Sequence, residues 1–138
     1  MKSLRQLLIT TLFAALACTA LHAQTVDLLA NIPFDFHTGD KLLPAGKYLI
    51  HADGSVVFLR TADGNPASIF LTFGATAFNG VRKSGLDFDR YGDEYFLTTI
   101  WNSFNQNGRA VPKTARQKEL AARGNVPVRS TIAVESSR

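Results

Sequence analysis

The chain has 138 residues, with 15 Lys and Arg against 11 Asp and Glu, a formal charge of +4, and one cysteine, Cys18. That length fits one domain and excludes a multidomain enzyme, and a lone cysteine excludes a disulfide scaffold. At 46% hydrophobic and 10% aromatic, the chain has enough apolar surface for a core, which excludes low-complexity disorder.

Residues 1–24 read MKSLRQLLITTLFAALACTALHAQ. Lys2 and Arg5 form a positive n-region. Residues 7–17 form an apolar run of h-region length, short for a membrane span. No second long apolar segment follows, so a polytopic membrane protein is excluded. Cleavage after Ala23 leaves Leu21 at −3, where small residues are preferred; Ala20 is the other candidate bond. The pattern predicts a secretory signal over 1–23 and a single β domain over 24–138, with no membrane span once the signal is removed. The triplet before Cys18 places its Leu wrongly for a lipoprotein signal. Removing 1–23 leaves no cysteine, which suits an oxidising compartment. It also removes Lys2 and Arg5, leaving 13 bases against 11 acids. Residues 24–104 are then net −3 and residues 105–138 net +5.

In the mature chain, Val26, Leu28, Ala30, Ile32, Phe34 and Phe36 occupy alternate positions, the period of a strand face. Pro33 lacks an amide donor and predicts an edge or an irregularity there. Pro44-Ala45-Gly46 reads as a turn. Asp53-Gly54 between two β-rich runs reads as a hairpin, and Asp63-Gly64-Asn65-Pro66 as the next turn. Residues 68–78 are apolar on both faces and predict a central strand buried on both sides. Leu86 and Phe88 alternate with Asp87 and Asp89, Tyr91-Gly92-Asp93 turns the chain, and residues 95–101 alternate again.

Residues 105–108 (NQNG) read as the end of the β pattern. Thr114 with Gln117 three residues on has capping-box spacing, and Gly124 suits the residue after a helix. A helix over about 114–123 is predicted, with Glu119 and Arg123 four apart. Val126, Val128, Ile132 and Val134 predict either a last edge strand or a tail. Seven or eight short strands give an all-β class: a single antiparallel sandwich or partly closed meander barrel with one short C-terminal helix.

Four stretches carry a resemblance: IPFDF (32–36), LPAGKYLI (43–50), DFDRYGDEYFLTTIW (87–101) and GRAVPKTARQKELA (108–121). In that order they resemble a family of small exported proteins found as multiple paralogues in acidobacteria. The resemblance covers most of the mature chain. It implies an exported single-domain β-protein and supplies no catalytic residues.

The chemistry is sparse. Asp87-x-Asp89-x-Tyr91-Gly92 opens like a calcium loop, but its fifth place is Tyr91 and its twelfth is Thr98 rather than a bidentate Glu; a solvated strand face is the simpler reading. His37 and His51 are too few for a zinc site unless carboxylates such as Asp35, Asp40 or Asp53 join them. No G-x-S-x-G nucleophile turn occurs, and no Ser is paired by motif with a His. No catalytic, cofactor-binding or metal residue is predicted, and a non-enzymatic protein without cofactors is expected. The basic C-terminal stretch offers Arg109, Lys113, Arg116, Lys118 and Arg123 as contacts to an anionic surface such as lipid headgroups or acidic polysaccharide; the alternative is a solvated helix face. Export removes nucleic acid from the partners. The sequence therefore predicts a periplasmic or extracellular binding module for an envelope component or protein. The alternatives are a small apolar-ligand carrier with a β-barrel pocket and a hydrolase.

Overall fold

Alternating side chains favour strands because every second residue can be buried against its neighbours, and eleven strands form among the described residues. The computed structural model describes residues 27–77, 82–102 and 107–137. The signal-peptide reading of 1–23, with Cys18 and His22, lies outside the described residues. In chain order the strands are β1 (Asp27–Ile32), β2 (Phe36–Thr38), β3 (Lys41–Leu43), β4 (Gly46–Asp53), β5 (Val56–Thr61) and β6 (Pro66–Leu71). They continue with β7 (Phe73–Thr76), β8 (Gly85–Tyr91), β9 (Glu94–Trp101), β10 (Asn107–Ala110) and β11 (Val128–Ser137); among the described residues the helix is α1 (Ala115–Ala122), which precedes β11.

The strands form one sheet in the order β3-β2-β9-β8-β11-β1-β4-β5-β6. Neighbours are antiparallel except β2 and β9, which run parallel. After β6 the chain bends at Thr72 into β7, which pairs β10, which in turn pairs β9. The bend is anchored: Thr72 is buried, and both its amide and its hydroxyl donate to the Ser55 carbonyl, at 2.8 and 3.0 Å. This curl brings the two ends of the sheet round toward each other, giving a nearly closed barrel rather than a sandwich.

The interior is filled by the inward residues of successive strands. Leu28, Ala30 and Ile32 meet Tyr48 and Ile50, Val57 and Leu59, Leu86 and Phe88, and Leu97 and Ile100, all exposed by 4% or less. Asp53 pairs Val56 across a turn at Gly54 and Ser55, with Gly54 at φ 56°, the left-handed region that glycine enters without cost. The helix starts as its capping box predicts: Thr114 Oγ1 accepts from the Gln117 amide at 3.1 Å. It ends before Gly124, at φ 84°, and Leu120 packs on Tyr91 and Phe96 outside the barrel.

Four expectations are corrected. Val128–Ser137 is neither an edge strand nor a tail; it lies between β8 and β1, because its inward Ile132 and Val134 pack against the core. β1 is likewise interior rather than an edge, and the irregularity expected at Pro33 is present as the break between β1 and β2. Residues 107–110 continue the β pattern as β10. Of residues 68–78, the described part, 68–77, is not a doubly buried central strand. The chain there is the last strand of the sheet path, bent at Thr72, and Ile69, Leu71 and Phe73 face outward.

Candidate functional site

The two carboxylates of β8 are not a solvated face. Asp87 is 0% exposed and Asp89 6%. A register shift between β8 and β9 puts one extra residue, Thr98, in β9; its hydroxyl donates to the Asp87 carbonyl at 2.9 Å. Beyond that bulge, Thr99 and Trp101 stand beside Asp87 on the outside of the barrel. The Asp87 carboxylate accepts from Arg82 at 2.8 Å, Trp101 Nε1 at 2.9 Å and Thr131 at 2.8 Å. The Arg82 guanidinium also lies 4.7 Å above the Trp101 ring. Asp89 accepts from Arg129 at 3.0 and 2.9 Å. Burial alone would raise the Asp87 pKa, but the donations from Trp101, Thr131 and Arg82, with the Arg82 charge, pull it below the ordinary carboxylate range. With its lone pairs engaged by these donors, this carboxylate has a structural role. Among the described residues no three His, Cys, Asp or Glu converge on a metal position.

The Trp101 indole that reaches Asp87 passes closely over Gly108, its cross-strand partner. A Cβ at position 108 would stand 2.5 Å from the indole ring, with no flexible end to yield. Gly108→Ala should therefore destabilise by about 1–3 kcal/mol through overpacking. Urea unfolding followed by tryptophan fluorescence tests this. An unchanged midpoint would refute the close approach.

The histidines divide. His51 Nδ1 lies 2.6 Å from Asp27 Oδ1 on the outer face of the sheet, with the Phe58 ring 6.1 Å away. His37 stacks on Phe96 at 4.6 Å. An imidazole oriented by a carboxylate is one part of a nucleophilic site, but catalysis also needs a nucleophile and an oxyanion hole. The His51–Asp27 pair is partly exposed on both sides rather than set in a cleft.

The five cations of the C-terminal stretch do not form one free patch. Arg109 donates to the Gly54 carbonyl and ties β10 to the β4–β5 turn. Arg116 meets Glu94 at 3.2 Å and Glu119 at 3.4 Å, and Arg123 meets Glu119 at 2.6 Å. Lys113 and Lys118 are exposed. The helix thus carries its own counter-charges.

The surface feature that patterning missed lies on β6 and β7. Ile69, Leu71 and Phe73 alternate along the bent strand and are 63%, 63% and 65% exposed. Phe58 stands opposite Ile69, Val56 opposite Leu71, and Ala110 opposite Phe73. Together they make an apolar stripe across four strands, β5, β6, β7 and β10. Beside it, between residues 38–41 and 66–70, an open groove of about 660 Å³ follows the seam where β3 and β6, the two ends of the sheet, approach. Leu42, 58% exposed, projects from β3 near that seam. No helix among the described residues is long and apolar enough to cross a membrane. Comparison of the chain with protein-family models, curated proteins and solved structures finds no match to any of them.

Proposed function

We propose that the protein is an exported, non-enzymatic binding module of the periplasm or cell surface, and that it meets an envelope component or protein through its apolar stripe. The observation that carries this reading is the row Ile69, Leu71 and Phe73. Three large apolar side chains in one exposed line are a costly surface for a soluble domain, and such patches mark interaction sites. The N-terminal pattern of 1–23 supports export, and the resemblance to small exported acidobacterial proteins points the same way. The absence of a nucleophile motif in the sequence favours binding over hydrolysis.

Native mass spectrometry of the protein purified from its own envelope tests this. The expected spectrum shows a chain beginning at Gln24 and carrying a reproducible protein partner, which the L71E/F73E variant lacks while keeping wild-type circular dichroism. A wild-type chain without adduct, or an adduct retained by the variant, overturns the reading. A small apolar-ligand carrier is the second reading; with the barrel interior filled by side chains, its ligand would lie in the open seam groove beside Ile69 and Phe70. A co-purifying small molecule in place of a protein would select it.

A further inference from the structure

We propose that the turn joining β2 to β3 is a flap, which swings off β6 while the rest of the barrel stays folded and so sets access to the seam groove. The excursion is built as a unit. Asp35 Oδ1 accepts from the Ala45 amide at 2.8 Å, pinning the base of the loop. Pro33 and Pro44 flank it and donate no backbone hydrogen bonds. Phe36 and Leu43 are its buried anchors. At the tip, Gly39 takes φ 58°.

The attachments are weak where the tip meets the sheet. Among the described residues, β2 joins β9 only through the parallel pairs Phe36↔Tyr95 and His37↔Phe96, β3 joins nothing but β2, and no backbone ladder spans the seam. The tip is held to β6 by two side-chain bonds: Thr38 Oγ1 donates to Ser68 Oγ at 2.9 Å, and Lys41 Nζ donates to the Ala67 carbonyl at 2.5 Å. β8, in contrast, is laddered along its length to both β9 and β11. Local openings follow such differences in hydrogen bonding. Breaking the two bonds at the tip would expose Thr38, now 2% exposed, and Ala67, while Phe36 and Leu43 stay buried. The flap stands whether the groove takes a partner, a small molecule or neither.

Thiol labelling in the full chain carrying C18S tests it. Ala67→Cys places a thiol on the wall that the flap covers, where Ala67 is 8% exposed, and leaves both bonds at the tip in place. Val57→Cys places one in the barrel wall, where Val57 is 0% exposed. Each labelling rate by an aromatic disulfide reagent is divided by the variant's own global unfolding constant. The expected result is A67C labelling at least tenfold faster than V57C on that scale, with little dependence on low urea. V57C should label only through global unfolding. Adding K41A should speed A67C several-fold and leave V57C unchanged. Equal normalised rates with the same steep urea dependence, or no response of A67C to K41A, overturn the flap. Should A67C fail to fold, T38C, which lacks one of the two bonds, is compared with T38C/K41A for the same response.

Discussion

Asp87→Ala should destabilise the protein by about 1–3 kcal/mol, because it removes the buried acceptor on which half-exposed Arg82 and buried Trp101 converge and leaves the indole N–H without a partner. Trp101 Nε1 and the Thr131 hydroxyl would lose their acceptor, and Arg82 its counter-charge. Arg129 retains Asp89 and should be held less tightly rather than released. The effect should reach beyond one contact. Asp87 ties β9 through Trp101, β11 through Thr131 and the approach to β8 through Arg82. Asp87→Asn keeps the volume but offers one acceptor oxygen where the carboxylate has two, so a smaller loss is expected. Urea midpoints of the two variants measure the difference. A D87A midpoint within error of wild type would show that the network contributes nothing.

The same residue sets a direction with pH. Its folded pKa lies below the ordinary value of 3.8. The unfolded chain therefore binds the proton more readily, and stability falls as pH falls. The Asp87 contribution is fully present above the ordinary value and is lost as pH drops through the lower folded value. The gap between wild type and D87N should thus be constant from pH 7 to 5 and shrink below about pH 4. Urea unfolding at pH 7, 5 and 3 checks this, and a gap that widens on acidification would reverse the assignment.

This network also shows where sequence reading stopped. Turns were legible because Gly and Pro announce them locally: Asp53-Gly54, Asp63-Gly64 and Gly92 all fall between paired strands. The helix was legible because Thr114 and Gln117 meet within one turn. The all-β class followed from alternation. Strand order did not, because the neighbours of β11 lie some 40 residues and a whole domain away in the chain. Asp87 and Asp89 therefore looked like an outward polar face, although Arg129 and Thr131 carry the matching spacing of two. That complementarity becomes visible only once β8 and β11 are known to be adjacent and antiparallel. The bulge at Thr98 likewise brings Leu97 and Ile100, three apart, to the same core, where strict alternation puts them on opposite faces. The stripe at Ile69, Leu71 and Phe73 was misread for a related reason. Apolar residues on both faces of a strand signal burial on both sides only when another layer covers the outer one. The helix and the Asp87 network cover the outer face at β8 and β9, but Ile69, Leu71 and Phe73 on β6 and β7 stay exposed, so there the same pattern marks a candidate contact surface.

Two phenylalanines separate those meanings experimentally. Phe88 is 0% exposed. Its ring meets Phe34 edge-on at 5.1 Å and Phe36 at 5.6 Å, and Phe36 in turn meets Tyr48 at 5.4 Å. The cluster joins β8 to β4 through the β1–β2 connection. Phe88→Ala should cost about 3–5 kcal/mol in transfer and cavity terms, a large part of the 5–15 kcal/mol that holds a typical domain together. At about 4 °C per kcal/mol for a domain of this size, the melting temperature should fall by about 12–20 °C. Phe73, 65% exposed, has the same chemistry and far less burial to lose. Phe73→Ala should stay within about 0.5 kcal/mol of wild type while weakening whatever the stripe binds. Paired thermal melts decide the matter. If F73A melts as low as F88A, the stripe is part of the folded core and not a surface kept free for a partner. If F73A melts with wild type, any loss of binding it shows belongs to the contact itself.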